Sequence, residues 1–283
     1  MGGRPDRYAR FVGSAAYREA RREKAGVIAH LCRRHLESAE RIADLGSGTG
    51  ILKKTLELEF HKPVLGFEID VPMLVERDRV AGADALCLPV ADGTFDFVIA
   101  NHLYEHVGDP ALLFREIFRV LRPGGRAYVT AGSRLAVMEP HYRLPFLSWL
   151  PKGAAGAYVR LTGRGPGYER IRFLTYGPLV RRMTEAGFRI TDDTERAIDE
   201  LIEEVWGGGW ARGWRVVRRL PGGLRQALLR LLSPQWFFLL ERPGAAAGAS
   251  GHAGSDGSVA RAAEEGGEGD RATPAPHRAK RDG

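Results

Sequence analysis

The stretch "ADLGSGTG", Ala43–Gly50, closes an apolar run with an aspartate and then places glycines at three alternate positions. Glycine in such a loop lets the backbone turn sharply and approach a ligand closely. A dinucleotide site would read Gly-x-Gly-x-x-Gly, with a pyrophosphate over the N-terminus of the following helix. Here the third glycine, Gly50, comes one residue early, and Asp44 stands two residues before Gly46. A carboxylate repels a pyrophosphate and favours a cation. The stretch therefore predicts a strand-to-helix loop that cradles a positively charged, phosphate-free nucleoside. The alternative is a glycine-rich turn with no ligand.

Working outward, apolar segments of strand length alternate with amphipathic ones. Tyr17–Leu36 reads as an Arg-rich helix, Arg41–Leu45 as a short strand, Ile51–Phe60 as a helix and Pro63–Asp70 as a strand. A helix near Met73–Arg79, a weak strand at Asp84–Pro89 and a strong one at Phe95–Leu103 are expected next. Pro110–Leu121 reads as a helix, "RPGG" as a turn and Arg126–Gly132 as a strand. Strands separated by helices imply right-handed crossovers and an α/β fold with an open, mostly parallel, doubly wound (Rossmann-like) sheet. Ligands of such sheets sit beyond the carboxyl ends of the strands.

Two further acids fall at that edge. Glu68 ends the second strand, where a carboxylate accepts hydrogen bonds from ribose hydroxyls, and Asp84 opens the next segment, placed to accept from an adenine amino group. Ile69 is placed to pack on the adenine face or to serve as ordinary core. S-adenosylmethionine carries an adenosine, an ammonium and a sulfonium but no phosphate, and it suits this set better than NAD does.

The ordered series "ADLGSGTG", "GFEID", "DALCLPVADGTFDFVIANHLYEHVGDP" and "LRPGG" resembles the motifs of class I S-adenosylmethionine-dependent methyltransferases, closely over about residues 40–132. The likeness extends more loosely to Phe173–Ile190, similar to the helix and strand that close the family's sheet, and to Trp236–Pro243, similar to its final strand. The resemblance implies about seven strands with helices on both faces and S-adenosylmethionine as cofactor. It implies that Asp44, Gly46, Ser47, Gly48 and Gly50 hold the methionine end, that Glu68 binds ribose, that Asp84 and Ala85 line the adenine and that Asn101 sits beside the methyl donor. Glu68 departs from the Asp usual at its position, and Ser47 from the Cys or other small residue of many members.

A sulfonium methyl is already activated, so the protein chiefly aligns a nucleophile and excludes water. A weakly acidic oxygen nucleophile also benefits from a general base. Candidates are His102, Tyr104 and, one turn further, Glu105 and His106 in "NHLYEHV", with Tyr142 and, as first choice, His141 in "EPHYRLP"; catalysis by alignment alone is the other option. No spacing of Cys or His predicts a metal. Segments outside the shared core, an inserted helical substrate cap at about 133–172 and a second insertion at about 194–235, are expected to set the acceptor. The reading is O-methylation of a small molecule, sugar or lipid-linked acceptor. The alternatives are RNA or protein methylation on the basic face, and a non-catalytic binding module on the cofactor fold. RNA ranks lower because no RNA module accompanies the basic runs and "NHLY" lacks the Asn-Pro-Pro-aromatic pattern of base-amino methylation.

Composition bounds the rest. The 283 residues suffice for one full domain with additions, and 44% hydrophobic with 27% charged residues suits a globular protein. Cys32 and Cys87 form no framework, no run is long and apolar enough to span a bilayer, and residues 1–11 lack a secretory apolar core. A cytoplasmic setting is the expectation. Residues 1–40 read as an N-terminal helical segment, 41–242 as the enzyme domain and 243–283 as a disordered tail of Gly, Ala, Ser and short charged residues. The charges of that tail roughly cancel, so the net +7 falls on the folded part. The basic, amphipathic stretch 210–242 is either a cap with a solvated face or a peripheral contact with an anionic membrane.

Overall fold

Neighbouring residues of the central strands face opposite sides, so each strand feeds two cores. In the computed structural model, which describes residues 15–168, 171–202 and 208–244, Ile42, Val64, Phe97, Ile99, Tyr128 and Phe237 pack into one apolar cluster. Ala43, Leu45, Phe67, Val98, Ala100, Val129, Phe238 and Leu240 pack into the other. Near-continuous apolar strands of this kind are buried on both faces.

The strands are β1 (Ile42–Leu45), β2 (Val64–Glu68), β3 (Val80–Gly82), β4 (Phe95–Asn101), β5 (Leu121–Gly132), β8 (Arg189–Asp192) and β9 (Gln235–Glu241). They form one seven-stranded sheet in the order β3-β2-β1-β4-β5-β9-β8. β3 to β5 run parallel through the sheet, and β9 is antiparallel to both β5 and β8. The order reverses between β1 and β4, which makes their carboxyl ends the topological switch point.

Helices α1 (Ala15–Leu36), α2 (Ile51–Phe60) and α6 (Thr194–Leu201) contribute to the first cluster. Helices α3 (Pro110–Val120), α4 (Lys152–Leu161) and α5 (Tyr176–Glu185) contribute to the second. Helix α3 starts where Asp109 accepts from the N–H groups of Ala111 and Leu112 and Pro110 fills the first turn. Two further helices, α7 (Gly208–Arg218) and α8 (Gly222–Leu232), lead into β9.

Four expectations are corrected. The run "RPGG" is not a turn before the strand but lies inside β5, which starts at Leu121 and shifts register against β4 between Phe95 and Phe97. Met73–Arg79 is not a helix: Val71–Met73 forms one 3-10 turn, and the N–H groups of Val75 and Glu76 both donate to the Thr49 carbonyl. That pairing holds the segment over the glycine loop instead of coiling it. Asp84–Pro89 is not a strand, and the third strand forms earlier, at Val80–Gly82. The backbone of this segment is claimed by side chains of α3. Leu88 N–H donates to Glu116 at 2.6 Å, and Arg119 donates to the carbonyls of Leu88 and Val90. The cap at 133–172 is not wholly helical: before α4 it has a short hairpin, β6 (Met138–Glu139) with β7 (Leu144–Pro145), and a 3-10 turn at Leu147–Trp149. The chain divides into two units, Met1–Ala246 and Ala247–Gly283. The expected tail, beyond Gly244, lies outside the described residues, as do residues 1–14 of the expected N-terminal segment.

Candidate active site

The loop that leaves β1 is built by its own backbone. The N–H groups of Gly46 and Ser47 both donate to the Phe67 carbonyl on β2, and Ser47 Oγ donates back to the Asp44 carbonyl at 2.9 Å. Gly46, Gly48 and Gly50 all have positive φ, at 67°, 56° and 77°. Only glycine takes such angles without strain. The three differ in what surrounds them. A Cβ on Gly50 would lie 2.2 Å from the Glu76 carbonyl oxygen, and one on Gly46 would lie 2.7 Å from Leu103 Cδ1. A Cβ on Gly48 would meet nothing closer than the Gly46 oxygen at 3.9 Å. Gly46 and Gly50 thus answer to the chain's own packing, while Gly48 borders open space.

Asp44 is 1% exposed, and its Oδ2 has no hydrogen-bond partner. Burial pushes its carboxyl up to about 7; the Glu68 charge adds to the rise, and Ser47 and Lys53 oppose it. Glu68 is buried at the end of β2, accepting from Gly48 N–H at 2.7 Å and from Asp70 N–H at 2.8 Å. Sequence reasoning passed over Lys53, which lies on α2 wholly buried beneath the loop with its Nζ 2.9 Å from Glu57 Oε2. A Lys-Lys pair in a short helix carries no signal that one of the two turns inward.

Beyond β2, Ile69 is 71% exposed. Asp84 is exposed and accepts from Leu86 N–H at 2.9 Å, while Ala85 is buried. Asn101 ends β4, where its Oδ1 accepts from Thr130 Oγ1 on β5.

The β4 loop reaches the glycine loop through Leu103 and carries the candidates His102, Tyr104, Glu105 and His106. His102 has a left-handed backbone, φ 52°, a conformation sparsely occupied outside glycine. Both of its ring nitrogens are engaged, Nδ1 with Glu105 Oε1 at 3.0 Å and Nε2 with Gln235 Oε1 at 3.1 Å. Tyr104 is a buried brace: its hydroxyl donates to the Gly132 carbonyl and accepts from Leu174 N–H. Burial pushes that phenol well above its usual range, and its hydroxyl ties the β4 loop to Gly132 and Leu174. His106 and His141, 35 positions apart in the chain, meet edge to face with centroids 5.2 Å apart. His141 Nδ1 donates to Glu139 Oε1 at 2.8 Å, and Tyr142 N–H holds Glu139 Oε2 at 2.6 Å. Glu105 and Glu139 are fully buried. Glu105 stood with His106 among the sequence candidates, whereas Glu139 was not chosen; its nearest signal was its place two positions before His141 in "EPHYRLP".

A family model described as a methyltransferase domain matches residues 43–129. The demethylmenaquinone methyltransferase of Lactiplantibacillus plantarum is 31% identical over 208 residues, covering 65% of this chain and 82% of that protein. That of Thermus thermophilus is 37% identical over 145 residues, covering 44% of this chain and 65% of that protein, just under two thirds of its length. The ubiquinone biosynthesis O-methyltransferase of Acinetobacter baylyi is 24% identical over 187 residues, covering 60% of this chain and 71% of that protein. With the glycine loop, the acid at the end of β2 and the strand order in place, the chain belongs to the class I S-adenosylmethionine-dependent methyltransferases.

Proposed function

We propose that this protein methylates an oxygen of a small-molecule or lipid-linked acceptor. The observation that carries the reading is one sheet edge with two chemistries: a buried, half-unpartnered Asp44 beside the glycine loop, and paired carboxylates and imidazoles on the adjoining β4 and β5 loops. The residues fit S-adenosylmethionine, because the orphan Oδ2 of Asp44 matches a cation and Gly48 leaves room for the ligand's approach. Asp44 and the loop glycines hold the methionine end, Glu68 takes the ribose hydroxyls, Ile69, Asp84 and Ala85 flank the adenine, and Asn101 lies nearest the methyl. When bound, the cofactor supplies an electrophilic methyl on a sulfonium. The chain's part is to align the acceptor oxygen with it, keep bulk water from the methyl and promote loss of the acceptor proton at the His106–His141 cluster. Support for an oxygen acceptor comes from those histidines and from the O-methyltransferase among the relatives. The demethylmenaquinone methyltransferases among them support a quinone-like, lipid-linked molecule.

Purified protein with labelled cofactor is expected to transfer label to a hydroxylated, lipid-soluble fraction. His141→Ala is expected to lower turnover at least tenfold with cofactor affinity changed less than twofold, about 1.4 kcal/mol on the barrier alone. Unchanged turnover in that variant leaves alignment as the whole mechanism; label found only in RNA or protein overturns the acceptor class.

The same reading extends to a peripheral contact with an anionic membrane. Helix α8 buries none of its residues, and Leu224, Leu231 and Leu232 are about half exposed or more on it. Val216 is exposed on the preceding α7, among the exposed Arg212, Arg215 and Arg219. Apolar surface rimmed by arginine is the pattern of an interfacial helix. No helix of the described residues is long and apolar enough to cross a membrane.

A further inference from the structure

The strongest unexplained chemistry is the Glu105–His106–His141 cluster. One ligand-type atom from each of the three lies within 4.8 Å of the other two. Glu105 is fully buried; its Oε1 accepts from His102 Nδ1, and its Oε2 is buried with no partner. A carboxylate oxygen taken out of water and left unpaired is costly. Glu139, also fully buried, is engaged by the ring of His141 and the backbone of Tyr142. Among the described ion pairs both acids meet imidazoles, Glu105 that of His102 and Glu139 that of His141.

The histidines are arranged as ligands are. His141 Nδ1 lies 2.8 Å from Glu139 Oε1, and in the tautomer that donates its proton there Nε2 keeps a free lone pair. A carboxylate behind the far nitrogen is the usual support of a metal-bound histidine, fixing tautomer and ring orientation. Two imidazoles bound at about 2.0–2.1 Å to one tetrahedral ion place their ring centroids roughly 5 Å apart. The centroids of His106 and His141 are 5.2 Å apart with the rings nearly perpendicular, at 81°. Ligand atoms of one such ion stand about 3.4 Å from each other. Closing the present span is therefore a small swing of two exposed imidazoles onto a fixed, buried Glu105.

From this geometry we propose that Glu105 Oε2, His106 and His141 Nε2 bind a single divalent transition cation such as Zn2+, which two-histidine, one-glutamate sets hold with a fourth position open. Three protein ligands leave a fourth position open. Resting on the reading of an oxygen acceptor, that position takes the acceptor hydroxyl. The ion lowers the pKa of that hydroxyl, its proton passes to water, and the oxygen pair forms the new C–O bond as the S–CH3 bond breaks with its pair on sulfur. His141 then orients the ion rather than taking the proton itself.

Calorimetry and elemental analysis of metal-stripped full-length chain titrated with Zn2+ alone test the site without any acceptor. One ion per chain is expected, with affinity falling at least tenfold in His106→Ala and in Glu105→Gln. Co2+ in place of Zn2+ should give the visible absorption of a four-coordinate site, and both variants should lose it. Glu105→Gln removes a buried charge, so its melting temperature is recorded; should it not fold, the exposed His106 carries the test alone. No binding, or binding of equal stoichiometry and affinity in wild type and His106→Ala, overturns the site. Full methyl transfer by the metal-stripped chain overturns the ion's part in the reaction while the oxygen-acceptor reading stands. Absence of transfer to any hydroxylated acceptor with Zn2+ bound overturns that reading and leaves the site in place.

Discussion

At the smallest scale, the proposed cofactor site rests on Asp44. Its carboxyl is raised from 3.8 to about 7 by burial. A carboxyl raised on folding contributes stability present below its unfolded value and lost as pH climbs through the folded one. In the free protein this group therefore opposes folding progressively from about pH 4 to about pH 7. A cationic ligand prefers the ionised form, so cofactor affinity should rise as pH climbs through about 7. Calorimetry at pH values either side of that midpoint is expected to show the rise in wild type. Asp44→Asn should show a flat response and an affinity lower by about 1.5–3 kcal/mol, the worth of a charged hydrogen bond. The glycines divide by surroundings. Gly50→Ala places a Cβ against the Glu76 carbonyl and should lower the melting temperature by several degrees. Gly48→Val adds bulk toward open space at φ 56°; its strain costs about 1–2 kcal/mol, and it should abolish cofactor binding before it abolishes folding. Equal effects of the two on melting and on binding would contradict this division.

At the scale of elements, the loop 83–94 shows how a side-chain pair can replace a strand. Glu116 is nearly buried on α3, accepts from Leu88 N–H and is held by Arg119, which also reaches Asp92. The Arg119 guanidinium, with Leu88 N–H, holds the Glu116 carboxyl below its usual range although burial works against it. Removing the acid leaves a donor and a cation unpaired. Glu116→Ala is expected to cost about 2–3 kcal/mol in denaturant unfolding and to weaken cofactor binding, because Asp84 and Ala85 sit in the same loop. A loss below about 0.5 kcal/mol, the range of ordinary surface substitutions, would show that backbone pairing alone keeps the loop. The two misread elements share one cause. Apolar spacing in Met73–Arg79 and Asp84–Pro89 was compatible with a helix and a strand, but the partners that claimed their N–H and C=O groups, Thr49, Glu116 and Arg119, lie far along the chain.

For the whole molecule, the exposed arginines of α7 and the uncovered leucines of α8 lead to a binding experiment. The protein should co-sediment with vesicles rich in anionic lipid at low salt and release at high salt, since exposed charge interactions are screened within about 10 Å at 0.1 M. Arg215→Glu with Arg219→Glu should weaken retention at least tenfold; retention equal on neutral vesicles, or none at low salt, would refute the contact. The run 43–50, the alternation of strands with helices and the acid at Glu68 were legible in the chain, because a strand's apolar alternation, a positive-φ glycine and a strand-end carboxylate are each set within a few residues. The histidine cluster was only half legible. His106 and His141 could be named, but their meeting, and the buried Glu105 and Glu139 that orient the cluster, depend on the hairpin after β5 folding back onto the β4 loop. Burial makes the difference: sequence gives an acid's identity, whereas its desolvation and partners, at Asp44 and Lys53 as much as at Glu105, come only from what the rest of the chain packs around it.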